Sequence, residues 1–92
     1  MRKYNKIMII DDSAFDCKII QQICKQNFHD VKAVTETSIY SCFFQLAMEC
    51  PDVLVIDWDF GHCRLCDEPE IFNKIIGYKK PVIIYSAQHK DE

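Results

Sequence analysis

Two short, unbroken apolar segments dominate the hydrophobic pattern of the chain, and both end at acidic residues. The first spans residues 7–10 and is followed by Asp11 and Asp12. The second spans residues 53–56 and is followed by Asp57. Apolar segments without alternation, rich in β-branched residues, are typical of strands buried on both faces. The pattern therefore predicts two central strands, each with carboxylates at its carboxyl end.

Around these two strands, the pattern predicts three amphipathic helices and two further strands. Ser13 is expected to cap a first helix that runs to about Asn27, with an apolar stripe formed by Phe15, Ile19, Ile20, Ile23 and Cys24. The other predicted elements are a mixed edge strand at 31–35, a helix at 39–49 capped by Thr37 or Ser38, and a last strand at 81–85. A third helix is expected between these last two elements, capped by Asp67 or Glu68, with Pro69 in its first turn and Gly77 at its close. The order β-α-β-α-β-α-β predicts an α/β fold with a parallel sheet and right-handed crossovers.

The composition indicates one small globular domain. The chain has 92 residues, of which 49% are hydrophobic, and this excludes a disordered chain. Its net charge of −3, without a basic stripe, argues against binding to nucleic acid or to an anionic membrane. The apolar segment near the amino terminus is too short for a signal peptide or a membrane span. We therefore expect a cytoplasmic protein in which the six cysteines are reduced.

A parallel sheet would bring four polar side chains, Asp11, Asp12, Asp57 and Ser86, to one edge. That edge is where open α/β sheets bind their ligands. Three adjacent carboxylates repel one another, a cost that protonation or a hard cation relieves, and oxygen ligands alone favour Mg²⁺. An ionised aspartate beside Mg²⁺ can act as a nucleophile toward phosphorus, and a nearby hydroxyl can hydrogen-bond the transferred group. Each acid by itself could be an ordinary loop residue, so the prediction depends on the combination.

These motifs and their spacing resemble the receiver domain of two-component response regulators. The resemblance covers nearly the whole chain, through residues 7–12, 51–57 and 81–87. It implies a flavodoxin-like receiver fold with four parallel strands in the order 2-1-3-4 and three helices. It also implies a signalling domain rather than an enzyme, with a sensor histidine kinase or a phosphotransfer protein as its partner.

The resemblance assigns a role to each polar residue at the sheet edge. Asp57 would be the phosphoacceptor, and Ser86 would be the switch hydroxyl. Asp12 would bind Mg²⁺ directly, as would Asp57 and the backbone carbonyl of Asp59. Asp11 would bind the ion through a water molecule.

The chain also departs from the family. The pattern indicates no element after the fourth strand, so we expect residues 1–92 to form a truncated receiver-like domain without the last helix, strand and helix of the family. The family's lysine after the fifth strand has no counterpart, and residues 60–67 replace the usual Met-Pro and Asp-Gly pairs. We therefore expect an atypical output. The exposed fourth strand predicts a homodimer, with residues 82–85 at or near the interface.

Three alternatives accompany this interpretation. Cys63 and Cys66, near His62 and Asp67, have the spacing of half a zinc site, although exposed reduced thiols explain them as well. The pair Asp57 and Asp59 resembles the haloacid-dehalogenase phosphatases, but the chain is too short for that fold and lacks its downstream acidic motif. The third alternative is a receiver-like module that is never phosphorylated and acts by dimerising or by sequestering a partner.

Overall fold

Four parallel strands form a single sheet in the computed structural model, which describes residues 5–28, 31–61 and 63–86, except for the side chains of residues 42 and 43. The strands are β1 (Lys6–Ile10), β2 (Lys32–Glu36), β3 (Val53–Asp57) and β4 (Val82–Tyr85). Their order is β2-β1-β3-β4, and every neighbouring pair is parallel. This confirms the predicted α/β fold and strand order.

Three helices cover the two faces of this sheet. Helix α1 (Ala14–Asn27) packs on one face, and helices α2 (Cys42–Glu49) and α3 (Pro69–Ile76) pack on the other. A 3₁₀ turn at Leu65–Asp67 precedes α3. No helix within the described ranges is long and apolar enough to cross a membrane.

Alternation along the central strands divides the core into two layers. On β1, Ile7 and Ile9 face α1, whereas Met8 and Ile10 face the opposite layer. The layer under α2 and α3 is the larger one, with the buried residues Met8, Ile10, Ile39, Leu54, Ile56, Phe60, Leu65, Ile71 and Ile75. Burial on both faces explains why these strands are apolar without alternation.

The inner face of α1 matches the predicted stripe only in part, because Ile20 and Cys24 pack on the sheet and the other three predicted residues do not. The buried residues are Cys17 and Cys24, with Ile20 packed beside them. Phe15, Ile19 and Ile23, which also have helical spacing, remain 71%, 43% and 52% exposed. The helix has two apolar flanks, and the sheet covers only the flank with the cysteines.

The starts of the helices follow their local chemistry. The Ser13 side chain accepts a hydrogen bond from the Asp16 N–H at 3.1 Å, which confirms the predicted cap of α1. Helix α2 begins at Cys42, three residues later than predicted. A turn closed by the Ser41 N–H and the Ser38 hydroxyl, 3.3 Å apart, directs Ile39 into the core instead of continuing as helix.

Candidate functional site

The strand register places the predicted acids side by side at the carboxyl edge of the sheet. Ile10 pairs with Ile56, so the residues that follow them, Asp11 and Asp57, are neighbours across the ladder. Carboxylate oxygens of Asp11, Asp12 and Asp57 all lie within 4.8 Å of one another. We call these three residues the aspartate cluster.

Asp11 is held rigidly inside the structure, with an exposed fraction of 0%. Its Oδ1 accepts a hydrogen bond from the Ser13 N–H at 2.9 Å, and its Oδ2 accepts one from the phenol of Tyr85. The Cys17 thiol donates to its backbone carbonyl over 3.4 Å. The Ser13 N–H and the Tyr85 phenol offset the cost of burying the carboxylate, and the Cys17 thiol satisfies the backbone carbonyl.

Asp57 is the last residue of β3 and is 4% exposed. Its Oδ1 accepts a hydrogen bond from the Asp59 N–H at 3.2 Å, which orients the carboxylate. The Asp59 Oδ1 in turn accepts one from the Gly61 N–H at 2.8 Å. The chain after β3 is therefore a turn built on aspartate side chains.

Gly61 closes this turn against the aspartate cluster. Its φ is +82°, a conformation that L-residues with a side chain rarely adopt. A Cβ at this position would lie 3.0 Å from the Oδ2 of Asp12. The backbone conformation therefore favours glycine, and a side chain at this position would also require the carboxylate of Asp12 to shift by a few tenths of an ångström. The hydrophobic pattern does not indicate a role for Gly61, although its place two residues after Asp59 is a turn signal.

Asp12 is a member of the aspartate cluster with a raised pKa. Its side chain is exposed, yet partial desolvation of its carboxylate, followed by the negative charges of Asp11 and Asp59, raises its pKa above the ordinary value. Its charged form is therefore disfavoured where it stands. A nearby cation would relieve that cost.

The donor set of the aspartate cluster fits Mg²⁺. The ligand atoms are all carboxylate oxygens, which are hard donors, and one of the three acids reaches solvent. Mg²⁺ usually takes one or two carboxylates and keeps several waters. In the aspartate cluster, Asp12 and Asp57 could supply two carboxylates, and the exposed side of Asp12 leaves room for water ligands.

The end of β4 adds two more residues to this edge. Tyr85 is in register with Asp57, and Ser86 follows it and is exposed. Burial, together with the hydrogen bond to Asp11, raises the pKa of Tyr85 far above its ordinary range, so the phenol remains a donor. The hydrophobic pattern places Tyr85 in the last strand but does not indicate a role for it at the acidic site. Its strand register is the signal that could have found it.

The described residues around Cys63 and Cys66 do not form a comparable group of metal ligands. Among the described residues, only the aspartate cluster brings three or more candidate ligands close enough to share one ion. Asp67 instead accepts a hydrogen bond from the Arg64 N–H at 3.0 Å, and Cys66 is exposed. His62 lies outside the described residues. The structure gives no support to a zinc site at Cys63 and Cys66.

Lys80 lies at the opposite edge of the sheet from the aspartate cluster. Its Nζ is 3.3 Å from the Oδ1 of Asp52, just before β3. The Tyr78 hydroxyl donates to the Pro51 carbonyl at 2.6 Å in the same region. These contacts join the segments that precede β3 and β4, at the amino ends of the strands, and do not involve the aspartate cluster.

Solved structures share this architecture. The N-terminal domain of a response regulator receiver protein from Methanoculleus marisnigri JR1 matches 98% of this chain and 72% of its own, with a TM-score of 0.74 and 18% identity. A response regulator receiver protein from Pseudomonas putida matches 98% of this chain and 74% of its own, with a TM-score of 0.71 and 12% identity. The chain therefore has the fold of response regulator receiver domains.

A third similar structure is the N-terminal domain of an uncharacterized protein from Wolinella succinogenes. It matches 94% of this chain and 67% of its own, with a TM-score of 0.68 and 22% identity. No protein-family model and no curated protein matches the sequence. At these identities the similarity establishes the fold, and the function has to be argued from the site.

Proposed function

We propose that this chain is a receiver module of two-component signalling that accepts a phosphoryl group on Asp57 in the presence of Mg²⁺. The observation that carries the proposal is the aspartate cluster, whose carboxylate oxygens lie within 4.8 Å of one another. It stands at the carboxyl edge of a sheet with the receiver strand order. Two of the similar structures are described as receivers, which adds support.

Asp57 is the proposed nucleophile. One of its carboxylate oxygens forms a bond to the phosphorus of a phosphohistidine, while the phosphorus–nitrogen bond of the donor breaks. The electron pair of that bond leaves with the imidazole, which then takes up a proton. The hydrogen bond from the Asp59 N–H, 3.2 Å long, orients the carboxylate for this attack.

The neighbouring groups have supporting roles in this proposal. Asp12, Asp57 and the backbone carbonyl of Asp59 would hold Mg²⁺, and Asp11 would contact it through water. When bound, Mg²⁺ supplies positive charge that offsets the carboxylates and the phosphoryl oxygens. The Ser86 hydroxyl, exposed at the end of β4, would donate a hydrogen bond to a phosphoryl oxygen.

The proposed partner is a sensor histidine kinase or a phosphotransfer protein, in the cytoplasm. In this role the product is the phosphorylated chain itself. The module therefore signals and does not turn over a substrate.

A second copy of the chain is the proposed partner of β4. Within the described residues, β4 pairs with β3 alone, and Ile83 and Ile84 are 53% and 40% exposed. An apolar edge with unpaired backbone groups favours pairing with another strand. A two-fold axis would pair β4 with its own copy.

Beryllofluoride, a phosphoryl mimic, tests the site directly. Trp58 follows Asp57 and packs edge-on against Phe72 at 6.1 Å, so its fluorescence should report on the site. We expect beryllofluoride to change that fluorescence only when Mg²⁺ is present, and not in Asp57→Asn. A response of equal size in the variant would contradict the proposal.

A further inference from the structure

Tyr85 reaches across the width of β3 to a carboxylate on the far side. It pairs with Asp57, and Asp57 stands beside Asp11 because Ile10 pairs with Ile56. Side chains two apart on a strand share a face, so all three lie on the α1 side of the sheet. Neighbouring strands are about 4.8 Å apart. The phenol therefore passes Asp57 to reach Asp11.

The acceptor of this hydrogen bond is the most enclosed carboxylate of the cluster. Asp11 is fully buried, and each of its oxygens accepts a hydrogen bond, Oδ1 from the Ser13 N–H and Oδ2 from the Tyr85 phenol. The first donor is part of the backbone, and the second belongs to a side chain on an edge strand. Donors of this kind disperse the charge of a carboxylate. The phenol thus offsets part of the repulsion that the cluster creates.

We propose that the Tyr85 phenol compensates the charge of Asp11 in the metal-free chain, and thereby lowers the affinity of the aspartate cluster for Mg²⁺. The phenol and the cation both stabilise the negative charge of Asp11. The binding free energy of Mg²⁺ is therefore less favourable when the phenol already donates to that carboxylate. Tyr85 is a positioning residue in this scheme, because it acts through Asp11. The inference rests on the metal site of the proposed function.

Removal of the Tyr85 hydroxyl should change both the stability of the metal-free protein and its affinity for Mg²⁺, in opposite directions. In Tyr85→Phe, the Oδ2 of Asp11 stays buried without its donor, so the metal-free protein becomes less stable. A cation then relieves more of the uncompensated charge. We expect the Mg²⁺ dissociation constant to fall roughly tenfold, as the strength of a hydrogen bond to a charged group implies.

The test is a double-mutant cycle over wild type, Tyr85→Phe, Asp11→Asn and the double variant. Trp58 fluorescence gives the Mg²⁺ dissociation constants, and urea unfolding in EDTA gives the stabilities without metal. The tightening on loss of the hydroxyl should disappear in the Asp11→Asn background. Tyr78→Phe is the matched control, because it loses a hydroxyl bond to the Pro51 carbonyl at the other edge. It should lower stability and leave the dissociation constant unchanged.

Equal or weaker Mg²⁺ binding in Tyr85→Phe would overturn the inference, as would equal tightening with Asp11→Asn. If wild type binds Mg²⁺ and the constant is unaltered by Tyr85→Phe, only this inference fails. If wild type binds no Mg²⁺, the metal site of the proposed function fails with it. Should Tyr85→Phe unfold in EDTA, circular dichroism during Mg²⁺ addition must show it refolding, and its failure to do so would also overturn the inference.

Discussion

Asp12 differs from the other two members of the aspartate cluster because its side chain is exposed while its pKa is raised. A raised pKa means that the folded state binds a proton more readily than the unfolded chain does. Near neutral pH, the ionised Asp12 therefore destabilises the metal-free protein. That penalty disappears as the pH falls through the raised pKa and Asp12 becomes protonated.

Asp12→Asn should consequently be more stable than wild type at pH 7 in EDTA. The difference should narrow as the pH falls and vanish below about pH 4, where an unperturbed aspartate also protonates. Urea unfolding between pH 3.5 and 7 measures it. With Mg²⁺ at pH 7 the order should reverse, because the variant lacks a ligand. A pH-independent gap would contradict the electrostatic explanation.

Gly61 offers a second test at the level of one residue. Gly61→Ala forces a side chain to adopt φ +82° and brings a Cβ to 3.0 Å from the Asp12 Oδ2. We expect a loss of about 1–2 kcal/mol in the free energy of unfolding, together with weaker Mg²⁺ binding because Asp12 is displaced.

Gly77→Ala is the control for this prediction. Gly77 has φ −88°, which alanine adopts without strain, although its Cβ would lie 3.1 Å from the Asn73 carbonyl. The change should leave Mg²⁺ binding unaltered. Urea unfolding and Mg²⁺ titration of both variants are sufficient. Unchanged Mg²⁺ affinity in Gly61→Ala would show that Asp12 tolerates the added group.

The aspartates of the site were predictable because each directly follows an apolar strand, and parallel strands align their carboxyl ends. Tyr85 and Gly61 were not predicted. The role of Tyr85 depends on the reach of one side chain across a neighbouring strand. The role of Gly61 depends on a positive φ and on the distance to Asp12. A pattern of apolar and polar residues does not give side-chain contacts between strands, backbone angles or distances between residues.

Among the elements, the strands and the ends of α1 and α3 were predicted more closely than the start of α2 or the inner face of α1. Pro69 lies in the first turn of α3 and Gly77 closes the helix, as predicted. The periodicity of α1 allowed two apolar flanks, so the predicted stripe correctly included Cys24 but wrongly included Ile19, which remains exposed. Periodicity finds a helix, but tertiary packing selects the buried flank.

The edge strand β4 carries a prediction about assembly. The Leu54 N–H donates to the Pro81 carbonyl and the Trp58 N–H to the Tyr85 carbonyl. By alternation along a parallel strand, the backbone groups of Ile84 point away from β3. Ile84→Pro should therefore remove an outward N–H while keeping the pairing with β3.

We expect wild type to be dimeric at micromolar concentration and Ile84→Pro to be monomeric. Sedimentation velocity measures both, and Ile84→Val, which keeps the backbone N–H, should remain dimeric. A monomeric wild type would refute the proposed dimer. A dimeric Ile84→Pro would show that the interface lies elsewhere.

At the scale of the whole molecule, the order of strands and helices was sufficient to predict a parallel sheet, because short connections and right-handed crossovers allow few alternatives. The two-layer core then holds the carboxyl ends of β1 and β3 in place. The surface was less predictable, since a chain of 92 residues buries a limited share of its apolar groups. The sequence therefore predicts the position of the acidic residues better than it predicts which apolar residues stay exposed.

Phosphorylation of Asp57 is the central claim, and incubation with acetyl phosphate followed by intact-mass analysis tests it most directly. In Mg²⁺, wild type should gain the mass of one phosphoryl group, releasing acetate, and EDTA should abolish the gain. Asp57→Asn should gain nothing, whereas Asp67→Asn, with a change of the same size outside the cluster, should be labelled normally. Absence of labelling in wild type, or equal labelling of Asp57→Asn, would contradict the proposed function.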